Sequence, residues 1–281
     1  MKILLAGCGD IGQRLGMRLS SEHHCVGLRR NPQQNLGSIE FRKADLTDPE
    51  SLLPLLLEGF DVLVATLTPD IYNEEGYTKA YMDTALAMAK AFDMSAVLPS
   101  LVIWVSSTGV YADNDGWSDE SSVTHPETFS GQVLLSAETA IRQLPCDVCI
   151  VRFSGIYGDN RRGVLNSIVK GIGPSEFPKR WSNRIHIDDC VGSLDHLINR
   201  HILGLPLNDL YIASDCEPVL QYDLYQWVSQ KLKRDITEVS DKIHRNCRLS
   251  NKGLLDSGYR FKFPTYREGY DALITHFIEN E

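Results

Sequence analysis

Six residues near the start constrain this chain more than any others: Gly7-Cys8-Gly9-Asp10-Ile11-Gly12, preceded by the apolar run Lys2 to Gly7 and followed by a helical pattern from Ile11 to Ser21. Strand, glycine turn and helix succeed one another directly. So tight a turn requires a residue without Cβ at Gly7. Close approach of the backbone to a pyrophosphate requires one at Gly9, and close helix-on-strand packing one at Gly12. The N–H groups that open the helix, at Asp10 and Ile11, have no intrahelical partner and face the anion. Glycines in a purely structural strand-to-helix turn are the alternative. The second strand-like segment that follows, Cys25 to Leu28, is the context that a dinucleotide-binding turn requires.

The residues after that second strand bear on which dinucleotide. An NAD site places Asp or Glu about 20 residues beyond the glycines, on the ribose 2′-hydroxyl. From His23 through Ile39 the chain has no acidic residue and instead presents Arg29 and Arg30. A guanidinium here can hold a 2′-phosphate through charge-assisted hydrogen bonds worth about 1.5–3 kcal/mol each. The pattern therefore predicts NADP(H) over NAD(H), against the alternative of two arginines solvating a loop.

A length of 281 residues accommodates one large α/β domain with a smaller appended part. The formal net charge of −9 argues against a chain-wide surface for nucleic acid or anionic membrane. The most apolar stretch, Leu52 to Leu57, is short and interrupted by Pro54, far from the roughly 18 residues that signal a membrane span. Leu4-Leu5-Ala6-Gly7-Cys8 mimics a lipoprotein cleavage box, but the run before it is shorter than the roughly 7–15 residues of an export signal. Seven cysteines at irregular spacing do not form a disulfide framework, so the expected location is the cytoplasm. Cys146 and Cys149 lie on opposite faces of a strand-like run, which disfavours a redox or metal pair, and no metal constellation is expected.

Further along, strand-like runs Phe41–Leu46, Asp61–Thr66, Leu101–Ser106 and Asp147–Phe153 alternate with helical patterns at Pro49–Glu58, Glu74–Phe92 and around Val133–Leu144. That alternation predicts an α/β doubly wound parallel sheet with ligands at the carboxyl ends of its strands. The helix over Glu74–Phe92 has low polarity all round and needs cover on more than one side, from the sheet and a second subunit. Beyond Phe153 the pattern is less regular. A Gly-, Pro- and Arg-rich stretch over Gly155–Trp181 precedes helical patterns at Asp188–Asn199, Gln221–Leu232 and Tyr266–Ile278, with a strand-like Leu210–Ala213.

Several stretches together resemble the extended short-chain dehydrogenase/reductase and NAD-dependent epimerase/dehydratase superfamily. They are the glycine turn, Ser106-Ser-Thr-Gly-Val-Tyr111, Arg152-Phe-Ser-Gly-Ile-Tyr-Gly158, Asn183-Arg-Ile-His-Ile-Asp-Asp189 and Ser250–Leu255 with Ser257-Gly-Tyr259 and Tyr266-Arg-Glu-Gly269. Ser130-Gly131 before Ala137-Glu138 points more closely to the atypical, YeeZ-like branch. The resemblance implies a Rossmann domain over residues 1–155, with 183–202 returning to it, and a small, mostly C-terminal substrate domain over 156–281. It assigns Asp45 and Leu46 to the adenine and Ser154 to the cofactor. It also implies a homodimer built on the helices at 74–92 and 130–144.

By the same resemblance, Ser107 would hydrogen-bond a substrate carbonyl or hydroxyl. The superfamily's Tyr-xxx-Lys pair, in which Lys lowers the Tyr pKa and Tyr passes a proton, falls on Ser130 and Leu134 and is therefore missing. Tyr111 and Ser130 are the candidate replacements beside Ser107, with Tyr157 and His186 weaker ones; Arg161, Arg162 and Arg184 are candidate anion ligands. Two functions follow. One is an oxidoreductase or epimerase acting on a small, sugar-nucleotide-like substrate through a non-standard proton relay. The other is an NADP(H)-dependent sensor or regulatory protein without turnover. A third reading is a structural dimer whose cofactor only stabilises the fold.

Overall fold

The computed structural model describes residues 1–32, 36–114, 116–240 and 246–279. Its centre is a seven-stranded parallel sheet. From one edge the order is Leu210–Ala213, Asp147–Phe153, Leu101–Ser107, Val62–Ala65, Lys2–Ala6, His24–Arg29 and Glu40–Lys43. Lys2–Ala6 pairs in parallel with His24–Arg29 on one side and Val62–Ala65 on the other, so the order reverses at the first strand. A reversal of this kind opens a crevice at the carboxyl ends of the strands. Inner strands such as Val62–Ala65 are buried throughout, as a sheet covered on both faces requires. The edge strand Glu40–Lys43 carries Glu40, Arg42 and Lys43, charges that discourage pairing with another chain.

The chain divides into two compact units: residues 1–110, 125–152 and 191–211 form the first, and 111–124, 153–190 and 212–281 the second. The loop 111–124 thus groups with the second unit, and the chain returns to the first at 125–152 and again at 191–211. In the first unit the helices Asp10–Leu19, Pro49–Leu57, Thr84–Met94 and Phe129–Ile141 flank the sheet, over a core that includes Leu4, Leu28, Phe60, Leu63, Met88 and Trp104. The second unit holds short two-stranded pairs, among them Gly155–Tyr157 with Arg184–His186 and Ile172–Pro174 with Glu238–Ser240. Its helices Gly163–Val169, Gln221–Leu232 and Tyr266–Glu279 close over Leu165, Leu224, Val228, Tyr270 and Leu273.

Two readings of the sequence are revised. The stretch expected as one helix over Glu74–Phe92 is three pieces, α-helical Glu74–Tyr77, π-helical Thr78–Asp83 and α-helical Thr84–Met94. A π-turn keeps side chains near helical spacing, so hydrophobic periodicity did not reveal it. The irregular stretch Gly155–Trp181 contains the strand Gly155–Tyr157 and the helix Gly163–Val169, both shorter than a periodicity count resolves. Among the described residues no helix is long and apolar enough to cross a membrane.

Candidate functional site

Four adjacent strands deliver their carboxyl ends to one cleft of about 440 Å³ in the first unit. Lys2–Ala6 leads into Gly7, Cys8 and Gly9. His24–Arg29 ends in Arg29, with Arg30 next. Glu40–Lys43 runs into Ala44, Asp45, Leu46 and Thr47, and Val62–Ala65 into Thr66, Leu67 and Thr68. The opposite wall comes from Asp70, Asn73 and the helical pieces around Gly76 and Lys79.

The glycine turn has separable requirements. Gly7 adopts φ +71°, and a Cβ there would lie 2.9 Å from Leu67 Cδ2 and 3.1 Å from the Thr66 carbonyl, so both conformation and space demand glycine. The Gly9 N–H closes the turn by donating to the Gly7 carbonyl at 2.6 Å. A Cβ on Gly9 would meet nothing nearer than the Gly7 carbonyl at 3.8 Å; it would project into free space instead of protein. Gly12 is confined by the Thr66 hydroxyl at 2.9 Å and Cys8 Sγ at 3.4 Å. Gly9 is the N-cap of the helix Asp10–Leu19 and provides no side-chain cap, leaving the first N–H groups for an anion. These features fit a dinucleotide pyrophosphate.

At the other end of the cleft the charges are arranged unequally. Arg30 is held by Asp70 through two bonds of 2.6 and 2.5 Å. Arg29 is half-buried and lines the same cleft. Among the described residues no carboxylate forms an ion pair with it. Asp45 accepts from the Thr47 N–H at 3.0 Å and hydroxyl at 2.8 Å, and these bonds hold its carboxyl below its ordinary value. Cys8 lies inside the turn, but burial pushes its thiol up to about 12, which makes it a poor nucleophile.

Of the ten residues that the sequence assigns to the cofactor, Gly7, Gly9, Arg29, Arg30, Asp45 and Leu46 line this cleft. Ile11 is buried beneath the helix start, and Asp10 is bonded to Arg14 at 3.0 Å. Ser154 belongs to the second unit, where its buried hydroxyl has no hydrogen-bond partner. Thr66, Thr68, Asp70 and Lys79 were not anticipated. The strand-end rule pointed to the residues after Ala65, whereas only the folded chain brings Asp70 and Lys79 to the cleft.

The catalytic candidates are placed as follows. Ser107 ends its strand in the first unit, and its Oγ accepts from the Gly109 N–H at 3.1 Å. Ser130, in the first turn of Phe129–Ile141, has its Oγ 3.1 Å from Thr128 Oγ1, the N-cap hydroxyl that also accepts from the Gly131 N–H at 3.2 Å. A Cβ on Gly131 would approach the Gly109 carbonyl to 2.5 Å, so the helix start and the turn after Ser107 are in close contact. Leu134 is buried. Tyr111 lies in the second unit, 1% exposed, and its hydroxyl donates to the Asp119 carbonyl at 3.0 Å.

Two further candidates in the second unit are also built into its packing. His186 packs against Phe263 and edge-on to Tyr157. Burial lowers its pKa, and its Nδ1 accepts from the Asp188 N–H at 3.2 Å. Tyr157 stacks on Tyr270 with ring centroids 4.4 Å apart. Its buried hydroxyl has no partner, and burial raises its pKa.

Several motifs behind the family resemblance prove to be internal ties. Asp189 accepts from the Tyr259 hydroxyl at 2.8 Å and the Lys262 and Phe263 N–H groups at 2.7 and 2.9 Å. Asn183 bonds the Cys247 carbonyl and the Leu249 N–H, each at 2.9 Å. Glu138 accepts from Arg152 at 3.0 and 2.6 Å and from the Ser106 hydroxyl at 2.6 Å, all of it buried.

The fold recurs in known proteins. Residues 1–175 match the model of the RmlD substrate binding domain. The chain is 28% identical over 212 residues to Protein YeeZ of Escherichia coli K12, covering 70% of this chain and 73% of that one. A solved structure from Methylobacillus flagellatus, described as an NAD-dependent epimerase/dehydratase, is 32% identical with a TM-score of 0.81 over 98% of both chains. Human epimerase family protein SDR39U1, solved with NADPH, shares the fold at a TM-score of 0.79 and 18% identity over 100% of both chains.

Proposed function

Because the chain belongs to the RmlD substrate binding domain family, within the NAD(P)-binding epimerase and short-chain dehydrogenase/reductase superfamily, we propose that its cofactor is NADP(H). One observation carries this preference: Arg29, at the end of its strand, lines the cleft without a carboxylate partner among the described residues. An NAD site would present an acidic side chain to the ribose there. Gly7, Gly9 and the uncapped helix start would hold the pyrophosphate, Leu46 and Asp45 the adenine end, and Arg29 the 2′-phosphate. Bound in this way, NADP(H) supplies hydride transfer at its nicotinamide ring. Titration of NADPH and NADH against wild type and Arg29→Ala tests the preference. The expected result is a wild-type preference for NADPH that Arg29→Ala largely removes; equal wild-type affinities would overturn it.

The accompanying activity is oxidoreductase or epimerase turnover of a small substrate of sugar-nucleotide type, with Ser107 hydrogen-bonding the reacting carbonyl or hydroxyl. A specific observation favours the rival reading of a nucleotide-dependent sensor. The position that would carry the superfamily's lysine is the buried Leu134, and Ser130 sits beside the Thr128 cap, an arrangement with no tuned phenol. Nicotinamide absorbance measured across candidate substrates separates the two, since a sensor binds NADPH and turns over none of them. A homodimer built on the helices at 74–94 and 129–141 completes the proposal.

A further inference from the structure

The cleft contains a cation that the glycine turn and the arginine pair do not account for. Lys79 sits in the π-helical turn Thr78–Asp83 and lines the cleft with Asp70, Asn73 and Gly76. It is exposed, and among the described residues its ammonium forms no ion pair or hydrogen bond. Two ties fix the backbone that carries it. The Tyr81 hydroxyl donates to the Leu67 carbonyl at 3.2 Å, and Asn73 caps the preceding helical piece by accepting from the Gly76 N–H at 2.8 Å. Gly76 is pressed so closely on the Ile71 carbonyl that a Cβ would lie 2.2 Å from it. The helical pieces bearing Lys79 are therefore tied to the strand-end loop at Leu67 and Ile71, on the same wall of the cleft as Asp70.

Charge and position indicate which part of a ligand Lys79 would meet. The cleft is lined by three cations, Arg29, Arg30 and Lys79, and three carboxylates, Asp45, Asp70 and Glu75. Asp70 already engages both terminal nitrogens of Arg30. The cations left for a phosphate are Arg29 and Lys79, and removal of Lys79 would leave an excess of negative charge facing it. Lys79 acts electrostatically on Asp45 and Asp70, the same two carboxylates that Arg30 acts on, which places its charge toward the Arg30 end of the cleft.

We propose that Lys79 is a specificity-determining residue that, together with Arg29, binds the 2′-phosphate of NADP(H), while Asp70 withholds Arg30 from it. This rests on the NADP(H) reading above. A lysine gives the phosphate a point charge, and Arg29 gives it a directional fork. Neutralising Asp70 releases Arg30 as a third cation.

The test is calorimetric titration of NADPH and NADH against wild type, Lys79→Gln, Lys79→Arg and Asp70→Asn, with thermal midpoints measured without cofactor. Lys79→Gln is expected to weaken NADPH about tenfold or more, the scale of one charge-assisted hydrogen bond, while NADH changes less than about twofold and the midpoint is unchanged. Lys79→Arg is expected to keep the NADPH preference, and Asp70→Asn to tighten NADPH selectively. An equal loss for both cofactors in Lys79→Gln would place Lys79 on the pyrophosphate and overturn the proposal, as would unchanged NADPH affinity in that variant. No selective gain in Asp70→Asn would overturn the role given to Asp70. If wild type prefers NADPH and Arg29→Ala removes the preference while Lys79→Gln keeps it, this inference alone fails. If wild type shows no preference, the NADP(H) reading fails with it.

Discussion

Glu138 and Arg152 show how residues that carry a family resemblance in sequence can serve the packing of the fold. Both are almost fully buried, joined by two hydrogen bonds and braced by Ser106, and together they tie a helix to two strands. Glu138→Ala would leave the Arg152 guanidinium buried without its counter-charge, a loss of about 3–5 kcal/mol. Urea denaturation should therefore show a strongly lowered midpoint. Asp215 presents the opposite case. It is 1% exposed, one of its carboxylate oxygens has no partner, and burial holds its carboxyl well above the usual range. The folded chain then retains a proton that the unfolded chain releases near pH 3.9. Stability contributed by this group is thus greatest in acid and falls as pH rises from about 4 toward the folded value. Asp215→Asn should raise the unfolding midpoint at pH 7 and flatten this part of the pH profile in denaturation measured across pH.

At the scale of elements, the glycine turn separates folding from binding. Gly7→Ala meets both a left-handed φ and a 2.9 Å contact, so it should lower the thermal midpoint and weaken cofactor binding together. Gly9→Ala has room within the protein, but its methyl would stand where the pyrophosphate approaches. It should leave the midpoint of the cofactor-free protein nearly unchanged and weaken NADPH in calorimetry. The first strand, turn and helix were legible because each needs only neighbours in sequence: an apolar run, residues without Cβ, and a helical repeat. The strand Leu210–Ala213 was legible from its apolar run, yet its place beside Asp147–Phe153 was not, since pairing across about 60 residues depends on tertiary packing. The π-turn at Thr78–Asp83 was hidden for a related reason. It leaves undisturbed the polarity pattern that marks a helix.

For the whole molecule, the dimer expectation rests on the helix Thr84–Met94, which buries Ala85, Met88, Ala91 and Phe92 but leaves Leu86 about half exposed at 52%. Analytical ultracentrifugation should find a dimer, and Leu86→Asp should shift it toward monomer with little change in the thermal midpoint at low concentration. A monomeric wild type would remove the expectation. The sequence by itself determined the α/β alternation, the glycine turn and the absence of an acid after the second strand. All are local: steric demands of adjacent residues, hydrophobic repeats, and the presence or absence of a charge. Tertiary structure decided what those charges do. Arg29 and Arg30 are neighbours of the same type, yet Asp70, 40 residues away, engages one and leaves the other, and Lys79 faces the same cleft. Ion pairing depends on distances of a few ångströms between side chains, and only the fold sets those distances.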